Sequence, residues 1–433
     1  MRIATVVFWV SLLVSANAVA APRPNVPPEV LNLYKSYPVI ELVTMGVGAL
    51  AWERHGHIAL CVREQDHAQD RCYNYGIGDF HHPIAMASGF FRGANSFWVG
   101  KMDPQEMLSI YRYADRTIWF QPLPLTAEQK QKVIDKLEND ILEEHKYYAY
   151  DHFADNCTTR IRDILDNATG GQLSSMTEPT DGKTFRDLAR DGFYGMRLFL
   201  LITDVQMGRS TDRVPTYWER MFLPEYLREA VAKRWGIQPI PVFTRTECEQ
   251  IAPGDELAET GCKERGAPYV DGPSGRVLFA LFILLATASA WATKLWGRFQ
   301  RTGLAIAILP PILLGLVMWF LAILSPLPYV RGNETCLVFF PFDLLVLLPI
   351  LSPARKRRYA RGRVAMLALI AALHVVGLIK QPLFAPILWP LIPLLVVGFW
   401  RPEWSKAAVE TKTPDAKPAK KPSMRKNRGG KRS

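Results

Sequence analysis

The sequence predicts an α+β exported domain followed by an α-helical membrane bundle of about five spans. Three observations point there. The chain opens on an apolar run behind Arg2, with small residues placed for cleavage. Residues 21–275 are mixed and charged, whereas 277–400 are mostly apolar. Lys and Arg gather on alternate connections of the apolar part, as a positive-inside orientation requires.

Taken in order, "IATVVFWVSLLVS" followed by "ANAVAA" reads as a signal peptide, residues 1–20, cut after Ala18 or Ala20. Residues 21–240 form the exported catalytic domain. Within it, "ERHGHIALCVRE" reads as a strand with His57 at its start and with His55 and His57 on one face. "RCYNYGIGDFHH" reads as the next strand, carrying Asn74 and followed by His81 and His82. In "YAYDHFADNCTTRIRDIL" an acid-rich aromatic run stops at Asn156-Cys157, after which Ile161, Ile164 and Leu165 fall on one helical face. Asp155 or Asn156 caps that helix, so Cys157 occupies its first turn. Residues 241–275 are a disulfide-bearing linker, 276–400 the transmembrane domain and 401–433 a basic cytoplasmic tail.

Five stretches are candidate spans: 277–296, 303–325, 336–352, 364–380 and 384–400, each near the length that crosses a hydrocarbon core. With the catalytic domain outside, segments 294–302, 353–363 and 401–433 lie inside. They hold three, six and eleven Lys or Arg, against only Arg331 and Lys380 outside. This orients a multi-pass membrane protein with residues 21–240 outside the cytoplasm. The net charge of +11 therefore calls for no nucleic acid; the tail suits an anionic lipid surface. Asp343, inside the third candidate span, is a costly acid in that setting.

Five cysteines fall in the exported part, where disulfides persist. Cys248 and Cys262 close a short Gly/Pro-bearing loop; Cys61 and Cys72 flank a polar turn between two strand-like runs. Cys157 is left over, and an odd exported thiol is a candidate nucleophile. The helix dipole and first-turn N–H groups favour thiolate there, so its midpoint is expected below a free thiol's value of about 8.5. His57 is the candidate base. His55, His57, His81 and His82 as a zinc set are the alternative, although no His-Glu-x-x-His or Cys-x-x-Cys accompanies them; the reading adopted has no metal and no cofactor. Asn74 is the candidate orienting group for His57, with Asp79 as the other possibility. His152 reads as structural.

Strand-His, strand, helix-Cys is the reverse of the papain order and resembles circularly permuted papain-like folds, by element order alone. A closer resemblance rests on "GHIALCV", "YNYGIGDF", "DRTIWFQPLPLT", "YYAYDHFADNCTTRIRD" and "ETCLVFFPFDLLVLLP". These are similar to the successive signatures of bacterial proteins with an Lnb-type N-terminal periplasmic domain, matching in order from about residue 30 to 200. Two departures stand out: His55-Gly56-His57 where the family has aromatic-Gly-His, and Asp115-Arg116 where many members have Asn-Arg. The resemblance implies N-acylation of the lipid-modified N-terminal cysteine of lipoproteins, with a phospholipid acyl donor, a diacylated lipoprotein acceptor and a membrane setting. It carries Cys157 and His57 onto the family cysteine and histidine. Tyr73, Asn74, Arg116, Asn156, Thr158, Thr159 and Arg160 match other motif positions, among which Asn156, Thr158, Tyr73 and Arg160 are candidates for substrate or oxyanion contact.

The chemistry expected is two-step transfer through a thioester on Cys157, with His57 moving the protons and N–H groups at the helix start holding the oxyanion. Two other readings use the same residues differently. One is a papain-like cell-wall peptidase or amidase; the other is a non-enzymatic envelope scaffold in which Cys157 is replaceable.

Overall fold

In a computed structural model of the chain, residues 27–79, 88–89, 96–193, 197–246 and 300–399 are described, with 280, 281, 284 and 287. The signal peptide, His81 and His82, Cys248 and Cys262, most of the 277–296 candidate and the basic tail lie outside the described residues. The chain divides into two compact units, Met1–Gly275 with Leu321–Gly332, and Arg276–Phe320 with Asn333–Ser433.

The first unit is built on one antiparallel sheet of seven strands, in the order β6-β4-β3-β2-β1-β5-β7. The strands are β1 (Val39–Met45), β2 (His57–Arg63), β3 (Arg71–Ile77), β4 (Ser96–Met102), β5 (Ile118–Pro122), β6 (Tyr147–Ala149) and β7 (Ile240–Phe243). β1, an interior strand between β2 and β5, is buried throughout, which its near-continuous apolar run requires. Its one charge, Glu41, is held by Arg63 Nε at 2.6 Å.

Strand alternation sorts two cores. Ile40, Leu42, Ile58, Leu60, Tyr73 and Tyr75 pack with apolar residues of three helices: Val133 and Leu137 of Ala127–Asp140, Ile161 and Leu165 of Cys157–Thr169, Leu227 and Val231 of Pro224–Trp235. On the opposite face Val43, Met45, Ala59, Cys61 and Cys72 pack with Met107 and Leu108 of Pro104–Tyr113. Labelled in chain order after α1 (Pro28–Leu33), these helices are α2 (Pro104–Tyr113), α3 (Ala127–Asp140) and α4 (Cys157–Thr169). Then come α5 (Phe185–Gly192), α6 (Arg197–Gln206), α7 (Tyr217–Arg220) and α8 (Pro224–Trp235). Cys61 and Cys72 stand opposite each other in the β2–β3 register and are joined by a disulfide.

Helices α9 (Gln300–Leu324), α10 (Thr335–Val338), α11 (Pro353–Val375) and α12 (Phe384–Phe399) make the C-terminal part helical. Among the described residues one helix, Thr302–Leu324, is long and apolar enough to cross a membrane; Phe384–Phe399 is a shorter apolar helix. Two of the expected spans need correction. The 336–352 candidate is not a continuous helix. It breaks after α10 into a 3-10 turn at Pro341–Val346, because Pro341, Pro349 and Pro353 interrupt the backbone ladder. The 364–380 candidate belongs to a helix that starts at Pro353, so the basic run of 353–363 is helical rather than a connecting loop. Asp343, the acid inside the broken stretch, is buried and paired: Arg363 Nε donates to it at 2.8 Å, Arg363 Nη2 at 3.1 Å and Tyr359 Oη at 2.9 Å.

Candidate active site around Cys157

Cys157 is the first residue of α4, and the cap fixes it there. Asn156 Oδ1 accepts from the N–H groups of Thr158 (2.8 Å) and Thr159 (2.9 Å), while its Nδ2 donates to His152 O (2.7 Å) and Phe222 O (3.0 Å). All four hydrogen-bonding directions of this amide are thereby satisfied, and the Asn-Cys-Thr-Thr stretch holds one conformation. Cys157 is 9 % exposed, and its sulfur lies 3.8 Å from Thr158 Oγ1.

Gly76 opens the way to it. Its φ is +82°, and a Cβ there would lie 3.2 Å from Cys157 Cβ, so the position favours glycine on two counts. The β3–β4 register shifts between Asn74 and Ile77, a bulge of the kind that re-aims strand residues beside sites.

His57 begins β2, and Asn74 sits on β3 opposite Ala59, so both share the face that packs on α2. The His57 ring stacks on Tyr111 at 6.0 Å. Burial of most of its surface pulls the His57 pKa down to about 4, Arg116 adds to the pull, and a side-chain hydrogen bond with Asn74 opposes it. Asn74 Nδ2 reaches Met107 Sδ at 3.6 Å, while Oδ1 is buried without a partner of full hydrogen-bond geometry. Its contact with His57 is therefore a loose one.

No hydrogen bond joins Cys157 to His57 directly; shared neighbours connect them. Tyr111 touches His57, and its own pKa, pushed up to about 12 by burial, also responds to the Cys157 charge. Arg116 acts on both residues. Its guanidinium lies over the Tyr111 ring at 4.9 Å, its Nε donates to Gly46 O at 2.8 Å, and its Nη1 is 3.6 Å from Glu53 Oε1.

The resting state of the thiol reverses the sequence expectation. Burial pushes the Cys157 pKa up; the Thr158 hydroxyl, the Thr158 and Cys157 N–H groups and Arg116 lower it by less. A helix start exerts its full pull only where the thiolate is also solvated, and this one is enclosed.

The other expected site residues separate. Asn156 is the cap, and Thr158 touches the sulfur. Tyr73 lies in the same core cluster as Cys157, but its hydroxyl is taken by Glu138 and Arg71. Arg160 is clamped by Asp155 at 2.6 and 2.8 Å and covers the Tyr148 ring, which ties down the approach to α4. Asp79 is exposed, which leaves Asn74 as the group facing His57. His55 does not share the His57 face. Gly56 takes φ +76° before β2 begins, and His55 Nε2 bonds Ala189 O at 3.1 Å. The N–H groups expected to hold an oxyanion are largely spent, since those of Thr158 and Thr159 serve the Asn156 cap.

Arg116, Tyr111, Glu53 and Gly76 were not assigned roles by sequence reasoning. The available signal was a charged residue at the mouth of an apolar strand. Asp115 before it has φ +48°, a conformation Asn and Asp both tolerate, so Asp in place of the family's Asn preserves the turn that aims Arg116.

Residues 34–191 match the family described as the Lnb N-terminal periplasmic domain. That range spans β1 to α5 and contains Cys157, His57, Asn74 and Arg116. No curated protein and no solved structure matches the chain.

Proposed function

Because the chain carries an Lnb N-terminal periplasmic domain over residues 34–191, we propose that it is a membrane-bound acyltransferase of the bacterial envelope. In this reading it acylates the N-terminal amine of diacylated lipoproteins from a phospholipid donor, through a thioester on Cys157. The observation that carries the reading is a buried thiol held at the first position of α4, apposed to Gly76, with His57 and Arg116 gathered at the same end of the sheet.

The resting pair is thiol and neutral imidazole, since the Cys157 pKa is raised and that of His57 is about 4. His57 takes the thiol proton as the sulfur adds to the ester carbonyl; a C–S bond forms and the carbonyl π pair moves to oxygen. When that pair returns, the ester C–O bond breaks, and the leaving alcohol oxygen takes the proton from His57. The imidazolium is a strong acid here because its pKa is depressed, which suits protonation of a poor leaving group. The lipoprotein amine then attacks the thioester carbonyl, His57 takes the proton from nitrogen, the C–S bond breaks, and the thiolate recovers the proton. The balance is ester plus amine to amide plus alcohol.

The test is complementation of a strain lacking lipoprotein N-acylation, read by the mass of a lipoprotein N-terminal peptide. Wild type is expected to restore the acylated mass and Cys157→Ala to leave the free amine. Restoration by Cys157→Ala would end the thioester reading. Release of muropeptide fragments by the purified wild type, without N-acylation, would instead move the protein to the cell-wall hydrolases.

A further inference from the structure

We infer that Arg116 is the anion-stabilising residue of the Cys157 centre, its Nη2 donating to the sulfur as thiolate and to the carbonyl oxygen as that oxygen becomes negative. The second half of this statement rests on the acyl-transfer reading above; the first does not.

Three constraints fix the guanidinium and leave one end over. Nε is taken by Gly46 O, Nη1 faces Glu53, and the flat face is held by Tyr111. Nη2 is buried with no hydrogen-bond partner among the described residues, in a side chain that is 4 % exposed. A buried donor left unmatched is costly, more so for a charged group, and native structures keep few of them. Arg116 and Cys157 lie near enough for each to act on the other's charge, and Tyr111 packs against both the guanidinium and the His57 ring.

The site also lacks a donor. An acyl adduct on a first-turn sulfur usually draws on N–H groups of the helix start. Here the N–H groups of Thr158 and Thr159 donate into Asn156, and that of Arg160 bonds Asn156 O within the helix. Only the Cys157 N–H remains. One backbone donor is half an oxyanion site, and Arg116 supplies a second with a full charge behind it. Its opposing action on His57 is consistent with this role, because it sharpens the imidazolium as an acid at the moment the leaving oxygen needs a proton.

The test titrates Cys157 by iodoacetamide in the full-length protein. Alkylation is followed on the Cys157 peptide by mass spectrometry, so that the other free thiol, Cys336, is read separately. Arg116→Gln is expected to raise the alkylation midpoint by about one pH unit and slow alkylation at pH 7.5 about tenfold. Glu53→Gln is expected to lower the midpoint, because it removes the carboxylate that offsets Arg116. Arg116→Lys, which keeps the charge but not the fork, should return the midpoint most of the way to wild type. In lipoprotein N-acylation it should still lose about 10²-fold, in the range found when an oxyanion donor is removed. A merely structural arginine would not move the two midpoints in opposite directions. An unchanged midpoint in Arg116→Gln, or a raised one in Glu53→Gln, overturns the inference. If Arg116→Gln does not fold, Glu53→Gln and Arg116→Lys decide it with the same signs. Should the wild type transfer no acyl group while the midpoints move as stated, the acyl reading falls and the arginine keeps its place at the sulfur.

Discussion

Arg116 in the first unit and Arg363 in the second are buried to nearly the same extent, 3 % and 4 % exposed, and they use their donors differently. Arg363 grips both oxygens of Asp343, reaches Val338 O at 3.0 Å and Leu337 O at 3.4 Å, and shares its carboxylate with Tyr359. Arg116 meets its nearest carboxylate only at 3.6 Å and keeps Nη2 unmatched. A buried pair that satisfies itself holds elements together, here the broken 333–346 stretch and α11. One that leaves a donor spare calls for a further partner, which the inference above assigns for Arg116. Asn74 Oδ1, buried and unmatched beside His57, follows the pattern of Arg116.

The difference predicts where substitutions are felt, and the largest effect belongs to the unmatched set. His57→Ala should cut acyl transfer by about 10³-fold or more, as Cys157→Ala does, and the double variant should lose little beyond either, because members of one catalytic unit are not additive. His55→Ala should lose far less, since His55 is spent on Ala189 O. The thermal midpoints of His57→Ala and Cys157→Ala should stay close to wild type. Equal losses of transfer at His55 and His57, abolished by a chelator, would restore the His-x-His metal alternative and remove the thioester. A steep fall in stability without a matching loss of rate would erase the contrast between the two regions.

Much of the first unit could be read in the sequence because its signals are local. An Asn-Cys-Thr-Thr cap followed by Ile161, Ile164 and Leu165 at helical spacing fixes Cys157 in a first turn whatever surrounds it. Strands β2 and β3 announce themselves as strand-like runs on either side of a polar segment, and the Cys61–Cys72 pair by their place across it. What escaped depends on distant residues or on a single dihedral. Gly56 at φ +76° turns His55 off the His57 face, though the His-Gly-His spacing alone suggests a shared one. The raised Cys157 pKa follows from enclosure by residues far along the chain, which a helix-start rule does not see. Arg116 gains its meaning only from Gly46, Glu53, Tyr111 and Cys157 together. In the second unit, window hydropathy averages over Pro341 and Asp343 and so reads a broken, salt-bridged stretch as a span.

The matched pair gives the next largest effect, and it should appear in stability. Arg363→Met leaves Asp343 buried without its cation and should cost about 3–5 kcal/mol, as the loss of one partner of a buried pair does. Asp343→Leu combined with Arg363→Met removes both charges and should recover most of that cost. Thermal unfolding in detergent, followed for each single variant and the double, measures this directly. A single variant as stable as wild type would mean that the pair is not what holds α11 to the 3-10 turn.

The smallest effect is on pH dependence, and its sign can be worked out from His57. The ring must be neutral to accept the thiol proton, so transfer falls as pH drops through the pKa of the free enzyme's base. Burial and Arg116 bring that value to about 4, well under the ordinary 6.5. The acid limb of kcat/KM should therefore lie near pH 4. Folding stability moves the same way: a histidine depressed in the native state holds its contribution above pH 6.5 and loses it as pH falls through the native value. Asn74 opposes the depression, so Asn74→Ala should slide the acid limb lower still and slow transfer by about tenfold or less, because the base becomes weaker and its ring less well oriented. A pH–rate profile of Asn74→Ala against wild type checks both. If the limb moves upward in the variant, Asn74 is not holding the imidazolium. Its unmatched Oδ1 would then have to be explained by some other arriving group, as the spare donor of Arg116 is.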